Sequence, residues 1–269
     1  MSVDVHRHGR GSIVALHSFR GGTGKTSITA SLALAVAQHG ARVAIVDTDL
    51  QSPGLHVLFN LAEDTLGRTL NGFLWGAYDI EHASFDIGAQ LNTRAGRPIT
   101  HPDSFFLVPA SIKAGEISRI LRSGYDVNLL DAGFRRLLEK LDLDYLFVDT
   151  HPGIQAETLL CLSVSDLVIV VLRPDQQDFQ GTAVTIEVAR KLAVPNLLLV
   201  INSVLESFDV EQVRLQAEET YAATVAGVLR RSDDLLRLAS SDVFGLCFPD
   251  HPWTREIGRI ADRMLSMAH

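Results

Sequence analysis

Three glycines, a lysine and two kinds of hydroxyl stand together in the segment Arg20-Gly21-Gly22-Thr23-Gly24-Lys25-Thr26-Ser27. Glycines spaced this closely let successive backbone N–H groups curl around an anion with no Cβ in the way. A lysine and a threonine directly behind them supply what a phosphate chain and its cation need: an ammonium for the β- and γ-phosphates and a hydroxyl oxygen for Mg²⁺. The flanks have the right order. An apolar run through Ile13–His17 leads into the glycines, and the stretch Lys25–His39 follows, closed by Gly40. Strand, glycine turn and helix together would aim free N–H groups and a helix dipole at one anion. The chemistry expected here is binding of a nucleotide's phosphates.

Carboxylates end two further apolar runs. Ala44-Ile-Val-Asp47-Thr-Asp49-Leu-Gln-Ser-Pro-Gly54 carries an Asp-x-Asp pair, and Tyr145-Leu-Phe-Val-Asp149-Thr-His-Pro-Gly153 a single aspartate followed by a turn. In an open α/β sheet, ligands bind at the carboxyl ends of the strands. Asp47, Asp49 and Asp149 are therefore expected beside the phosphate loop, although Asp47 and Asp49 could also be ordinary turn formers.

The loop departs from the plain G-x-x-x-x-G-K-[ST] pattern, because Phe19 stands where the first glycine would be. With Gly21-Gly22 and Lys25-Thr26 it resembles the deviant K-G-G-x-x-K-[ST] loop of the ParA/MinD family, and the likeness extends along most of the chain. That resemblance implies a switch driven by ATP and Mg²⁺. Gly21, Gly22, Thr23, Gly24, Lys25, Thr26 and Ser27 would cradle the phosphates. Thr26 and Asp149 would serve Mg²⁺, with Asp47 beside the ion, Asp49 would orient the attacking water, and Gly153 would offer its N–H to the γ-phosphate. Asn202 corresponds to an adenine-contacting residue, and Phe248-Pro249-Asp250 resembles a segment that walls the base. The family's signature lysine, which crosses to the partner's nucleotide, is replaced here by Arg20. Arg20 keeps the charge in a different shape, so it either reaches across or serves the loop. Lys113 is the other candidate for that role, as in a carboxysome-positioning (McdA-type) branch that uses a lysine elsewhere. His151 stands where relatives have a small residue or proline. It reads as a turn residue or as a group near the nucleotide.

The elements needed to position these residues are legible as alternation. Strands are expected at Ser12–His17, Arg42–Asp47, Phe105–Pro109, Tyr145–Asp149, Leu167–Leu172, Asn196–Asn202 and Thr224–Leu229. Several are unbroken Val/Ile/Leu runs, as in strands covered on both faces. Helical patterns lie between them, and the alternation predicts an α/β fold: a doubly wound, mostly parallel sheet in a three-layer α/β/α sandwich. Residues 12–269 read as a single domain behind a flexible N-terminus over residues 1–11. The stretch Asn71–Pro102 is the least regular, and alternation around Phe85–Leu91 predicts a short hairpin at the sheet edge.

Composition narrows the surroundings. The 269 residues carry a formal net charge of -8, so DNA contact would need a local basic patch. The two cysteines, Cys161 and Cys247, argue against a disulfide framework, a CxxC metal site or an iron–sulfur carrier. With no signal-like or membrane-spanning apolar run, a cytoplasmic protein is expected, on the nucleoid if DNA is its surface. The expected partners are a second copy in an ATP-dependent homodimer and a cargo or adaptor protein that stimulates hydrolysis. Non-specific DNA could be met by Arg214, Arg230, Arg231 and Arg237. Arg173, Gln177 and Asp178 are candidate interface residues, with a solvated helix start capped by Asp178 as the alternative. The apolar stripe Trp253, Ile257, Ile260, Met264 and Leu265 reads as a core-packed terminal helix, or as an amphipathic membrane anchor.

Overall fold

The computed structural model describes residues 11–62, 66–94, 98–99 and 103–267. Apart from Gly11, the expected flexible N-terminus lies outside the described residues. Gly11 itself is packed: a Cβ there would sit 2.0 Å from the Leu143 carbonyl.

Among the described residues, eight strands form one sheet: β1 (Ser12–His17), β2 (Val43–Asp47), β3 (Phe85–Asp86), β4 (Phe105–Val108), β5 (Tyr145–Asp149), β6 (Leu167–Leu172), β7 (Asn196–Val204) and β8 (Thr224–Arg230). Their order is β3-β4-β2-β5-β1-β6-β7-β8, parallel throughout except for the β3–β4 pair. The chain winds outward from β1 in both directions, so the carboxyl end of β1 lies at the reversal where such sheets bind ligands. Apolar strands suit this position because neighbours on one strand serve opposite cores. Val14 and Leu16 join the core beneath one helical layer, while Ile13 and Ala15 join the other.

The first layer comprises α1 (Lys25–Gln38), α2 (Leu55–Leu58), α4 (Gly88–Arg94), α10 (Asp233–Leu238), α11 (Phe244–Cys247) and α12 (Pro252–Met267). The second comprises α3 (Leu70–Leu74), α5 (Ala114–Ser123), α6 (Asn128–Lys140), α7 (Ala156–Ser163), α8 (Gln176–Lys191) and α9 (Val210–Tyr221), together with a 3₁₀ turn at Ile80–Ala83.

Three local expectations change. Only Phe85–Asp86 pairs as a strand, antiparallel to β4. The Asp86 carboxylate then accepts the Gly88 N–H at 3.0 Å, and the chain turns into α4, which buries Leu91. No hairpin forms over Phe85–Leu91. Helix α8 begins earlier than its apolar pattern, and its cap is Asp175, whose Oδ1 accepts the Asp178 N–H at 3.0 Å. Asp178 is instead a buried first-turn residue held by Arg173.

The terminal helix belongs to the core. Trp253, Ile257, Ile260, Ala261 and Met264 are all buried, and Gly227 of β8 leaves room for Ile260, which lies 2.5 Å from where a Cβ would stand. The stripe read as a possible membrane anchor therefore faces the sheet. Among the described residues, no helix is long and apolar enough to cross a membrane.

Candidate nucleotide site

The glycine loop bends where its glycines demand it. Gly22 and Gly24 have φ of +76° and +86°, a region open to glycine at no steric cost. At Gly24 the space is also closed: a Cβ would lie 2.4 Å from Asn202 Nδ2. Asn202, buried at the end of β7, donates that amide to the Thr23 carbonyl at 2.8 Å. A break in the β7–β8 register between Ile201 and Val204, with Ser203 at φ +60°, ends the regular pairing there. On the other side Phe19 packs on Gly181 of α8, whose absent Cβ would fall 2.2 Å from the ring. Phe19, the residue that breaks the plain loop pattern, is thus the loop's anchor to α8.

Asp149 is the hub of the charges. Its Oδ1 accepts from Lys25 Nζ at 2.7 Å and from the Thr29 hydroxyl at 2.8 Å, and its Oδ2 accepts from the Thr26 hydroxyl at 2.7 Å. Lys25 and Asp149 are 6% and 1% exposed, so this ion pair is desolvated. Parallel pairing of β2 with β5 sets Asp47 opposite Asp149. Asp47 Oδ1 accepts the Asp49 N–H, and Oδ2 accepts the N–H groups of Gly54 and Leu55 at 3.0 and 3.2 Å, at the start of α2. Burial and the charge of Asp149 push the Asp47 carboxyl up to about 7. Asp49 is raised too, chiefly by burial, with His151 and Lys25 opposing. Three carboxylates and a threonine hydroxyl around one lysine make an oxygen-rich site with negative charge to spare. That donor set fits Mg²⁺, a hard cation that takes oxygen ligands and retains waters.

The turn after β5 is tied to the phosphate loop. The Gly153 N–H donates to the Ser18 carbonyl at 3.1 Å, with Gly153 at φ +84°. In this conformation the group expected to meet a γ-phosphate is engaged by the loop. Sequence reasoning passed over His17 and Thr150, which lie beneath. The Thr150 hydroxyl donates to the Leu16 carbonyl at 2.9 Å, so the His17 Nδ1–H donates to it at 2.8 Å. His17 Nε2 is buried without a partner. The imidazole is pushed down to about 3, first by burial and then by the charges of Lys25 and His151.

A pH dependence follows. The unfolded histidine titrates near 6.5, so between that value and about 3 the unfolded chain binds a proton that the fold refuses. His17 therefore makes stability fall as pH drops through this window, by at most about 1.4 kcal/mol per pH unit. His17→Gln is expected to flatten a plot of urea midpoint against pH between about 6.5 and 4. Equal slopes for variant and wild type would deny His17 this part.

Other candidates are placed apart from the loop or in different company. Arg20 Nη1 lies 3.7 and 3.8 Å from Asp178 and Asp175, which Arg173 also binds, so the signature-position cation is held by its own α8. Lys113 precedes α5, is largely exposed and lies 3.8 Å from Glu116. Pro249 lines a groove with Ser31, Leu34, Gln38 and His39, from the middle of α1 to the residue after its end. Asp250, its neighbour, is exposed. A cavity of about 910 Å³ at the carboxyl ends of β7 and β8 is lined instead by Leu205, Arg230, Arg231, Ser232 and Asp233 among others. Of the four arginines considered for DNA, Arg214 pairs with Glu211 and Glu218, and Arg237 with Asp234. Arg230 donates to the Leu205 and Phe208 carbonyls.

A glycine loop between the central strand and a helix, with three strand-end carboxylates at the reversal of a parallel sheet, defines a P-loop nucleotide-binding protein. Residues 14–243 match the CobQ/CobB/MinD/ParA nucleotide binding domain, and the chain belongs to that family. Among curated proteins it is similar to an uncharacterized ATP-binding protein of Methanocaldococcus jannaschii, 26% identical over 265 residues covering 94% of this chain and 87% of the relative. Among solved structures, MinD of Pyrococcus horikoshii OT3, complexed with Mg-ADP, aligns with a TM-score of 0.76 at 19% identity, covering 96% of this chain and 97% of that one. A putative plasmid partition protein of Borrelia burgdorferi B31, bound to AMPPNP, gives 0.75 at 19%, covering 96% and 100%. These two establish likeness of fold.

Proposed function

We propose that this protein is an ATP-hydrolysing dimeric switch of the ParA/MinD type, which positions or partitions a cargo. Mg·ATP would join two copies, the joined form would bind nucleoid DNA, and a cargo or adaptor protein would stimulate hydrolysis and release it. The observation that carries the reading is the Asp149 hub, where the loop lysine and the Mg²⁺-type threonine converge on one buried carboxylate. When bound, Mg²⁺ supplies charge to the β- and γ-oxygens. Thr26 and Asp149 would hold it, Asp47 would stand behind it, and Lys25 would turn from Asp149 to the phosphates. Asp49 would orient the water. For the dimer, Arg20 would leave Asp175 and Asp178 for the partner's phosphates, or Lys113 would take that role. Asn202 would bound the base side of the loop.

The burial of α12's apolar face weighs against the MinD-like alternative of a membrane surface. Sizing the protein with ATP, ADP and no nucleotide, together with Asp49→Ala to hold the ATP state, tests the reading. A dimer is expected with ATP alone, longer-lived in the variant, and a monomer in all conditions would overturn it. Plasmid DNA added to the same samples should be bound only with ATP, and reversing charge at Arg230 and Arg231 should remove that binding. Binding to liposomes in place of DNA would favour the alternative.

A further inference from the structure

The turn after β5 carries one side chain that phosphate and cation binding leave unexplained. His151 is 16% exposed, with Nε2 3.7 Å from Asp49 Oδ1 and Nδ1 2.6 Å from the Pro152 carbonyl. A carbonyl can only accept, so Nδ1 carries the ring hydrogen and donates it. In the neutral ring, Nε2 then keeps a lone pair, on the side of the Asp49 carboxylate. Two acceptors 3.7 Å apart make no hydrogen bond with each other. A water has two O–H groups to give, and giving one to each acceptor needs them about 4.5 Å apart, so Asp49 and His151 must part by roughly 1 Å to seat it between them. Beneath the turn, His17 Nε2 is a further acceptor, buried without a donor.

We propose that His151 is a second water-orienting residue of the hydrolytic site, acting with Asp49. This rests on the hydrolytic reading above. One O–H of the attacking water points to the Asp49 carboxylate and the other to His151 Nε2, which turns a lone pair of that water toward the γ-phosphorus. The water oxygen bonds to phosphorus as the bond to the β,γ-bridging oxygen breaks. The electron pair of that bond leaves with ADP, and the proton given up by the water ends on the released phosphate. With one acceptor the water can still rotate about a single hydrogen bond; with two its direction is set before the reaction, which is where positioning lowers a barrier.

The test separates acceptor, charge and shape at residue 151. His151→Gln keeps an acceptor oxygen, His151→Lys keeps a cation without an acceptor, and His151→Phe keeps only a ring. Single-turnover ATP hydrolysis at saturating Mg·ATP is measured beside the affinity for a fluorescent ATP analogue. The expected result is a rate lowered about tenfold or more in the Phe and Lys variants, within about threefold of wild type in the Gln variant, and affinity within about twofold throughout. A Phe variant as fast as wild type overturns the inference. So does a Lys variant that outperforms Gln, which would make His151 a charge partner of Asp49, or a loss of rate that follows a loss of affinity. A wild type that binds Mg·ATP and turns none over overturns the hydrolytic reading itself, and this inference with it.

Discussion

Asp149→Ala is expected to abolish ATP hydrolysis and to cost the fold about 3 kcal/mol, the lower end of what breaking a buried ion pair costs. The variant leaves the Lys25 ammonium 6% exposed with its counterion gone, takes the acceptor from the Thr26 hydroxyl, and leaves the Thr29 hydroxyl only the Lys25 carbonyl. An unpaired charge in such a place is far costlier than the net worth of the pair. One effect works the other way. Asp149 raises the neighbouring Asp47, so its removal lets Asp47 ionise more fully and share the field of Lys25. That relief places the estimate at the low end. Asp149→Asn, which keeps one acceptor oxygen, is expected to lose hydrolysis while losing less stability. Urea unfolding at neutral pH and Mg²⁺-dependent phosphate release are the measurements. An alanine variant as stable as wild type would mean that the Lys25 charge is balanced elsewhere.

Gly24→Ala is expected to weaken nucleotide binding by roughly 100-fold, close to 3 kcal/mol at about 1.4 kcal/mol per tenfold. Two costs combine. Holding alanine in the left-handed region costs about 1 kcal/mol, and its Cβ would stand 2.4 Å from the Asn202 amide. Asn202 is buried and cannot swing clear without giving up its bond to the Thr23 carbonyl. The loop would then lose its support at the point where its N–H groups must converge on phosphate. A double-variant cycle identifies the cause. Asn202→Gly removes the obstructing amide, so Gly24→Ala should cost less in that background, by about 1 kcal/mol or more. Strict additivity of the two losses in nucleotide affinity would show that the clash is not the mechanism.

These effects converge on a site whose parts were unequally legible. The continuous apolar runs ending in Asp47 and Asp149 announced parallel strands, because a strand covered on both faces has no polar alternation to hide it. Their carboxyl ends then had to meet at one edge, and the register of β2 and β5 places the two aspartates opposite each other. Short elements escaped. The 55–58, 70–74 and 80–83 turns of helix are too brief for any apolar period to show. The start of α8 does not show in apolar spacing, because its first turn is set by a cap and an ion pair, Asp175 and Arg173–Asp178. The amphipathic stripe of the last helix was readable as a stripe, but a stripe has the same appearance whether lipid or protein covers it.

The amino-acid sequence by itself determined the class of chemistry here: glycines that must turn, a lysine and a threonine behind them, and carboxylates at strand ends. These are local properties, decided by backbone freedom and side-chain type within a few residues. Only the tertiary structure decided which partners those groups hold. Asn202 meets Thr23 across 179 positions of chain, Phe19 lies on Gly181, Arg20 is held by Asp175 and Asp178, and His151 faces Asp49. Such contacts depend on strand order and on the space a missing Cβ leaves, and neither is written in any one segment.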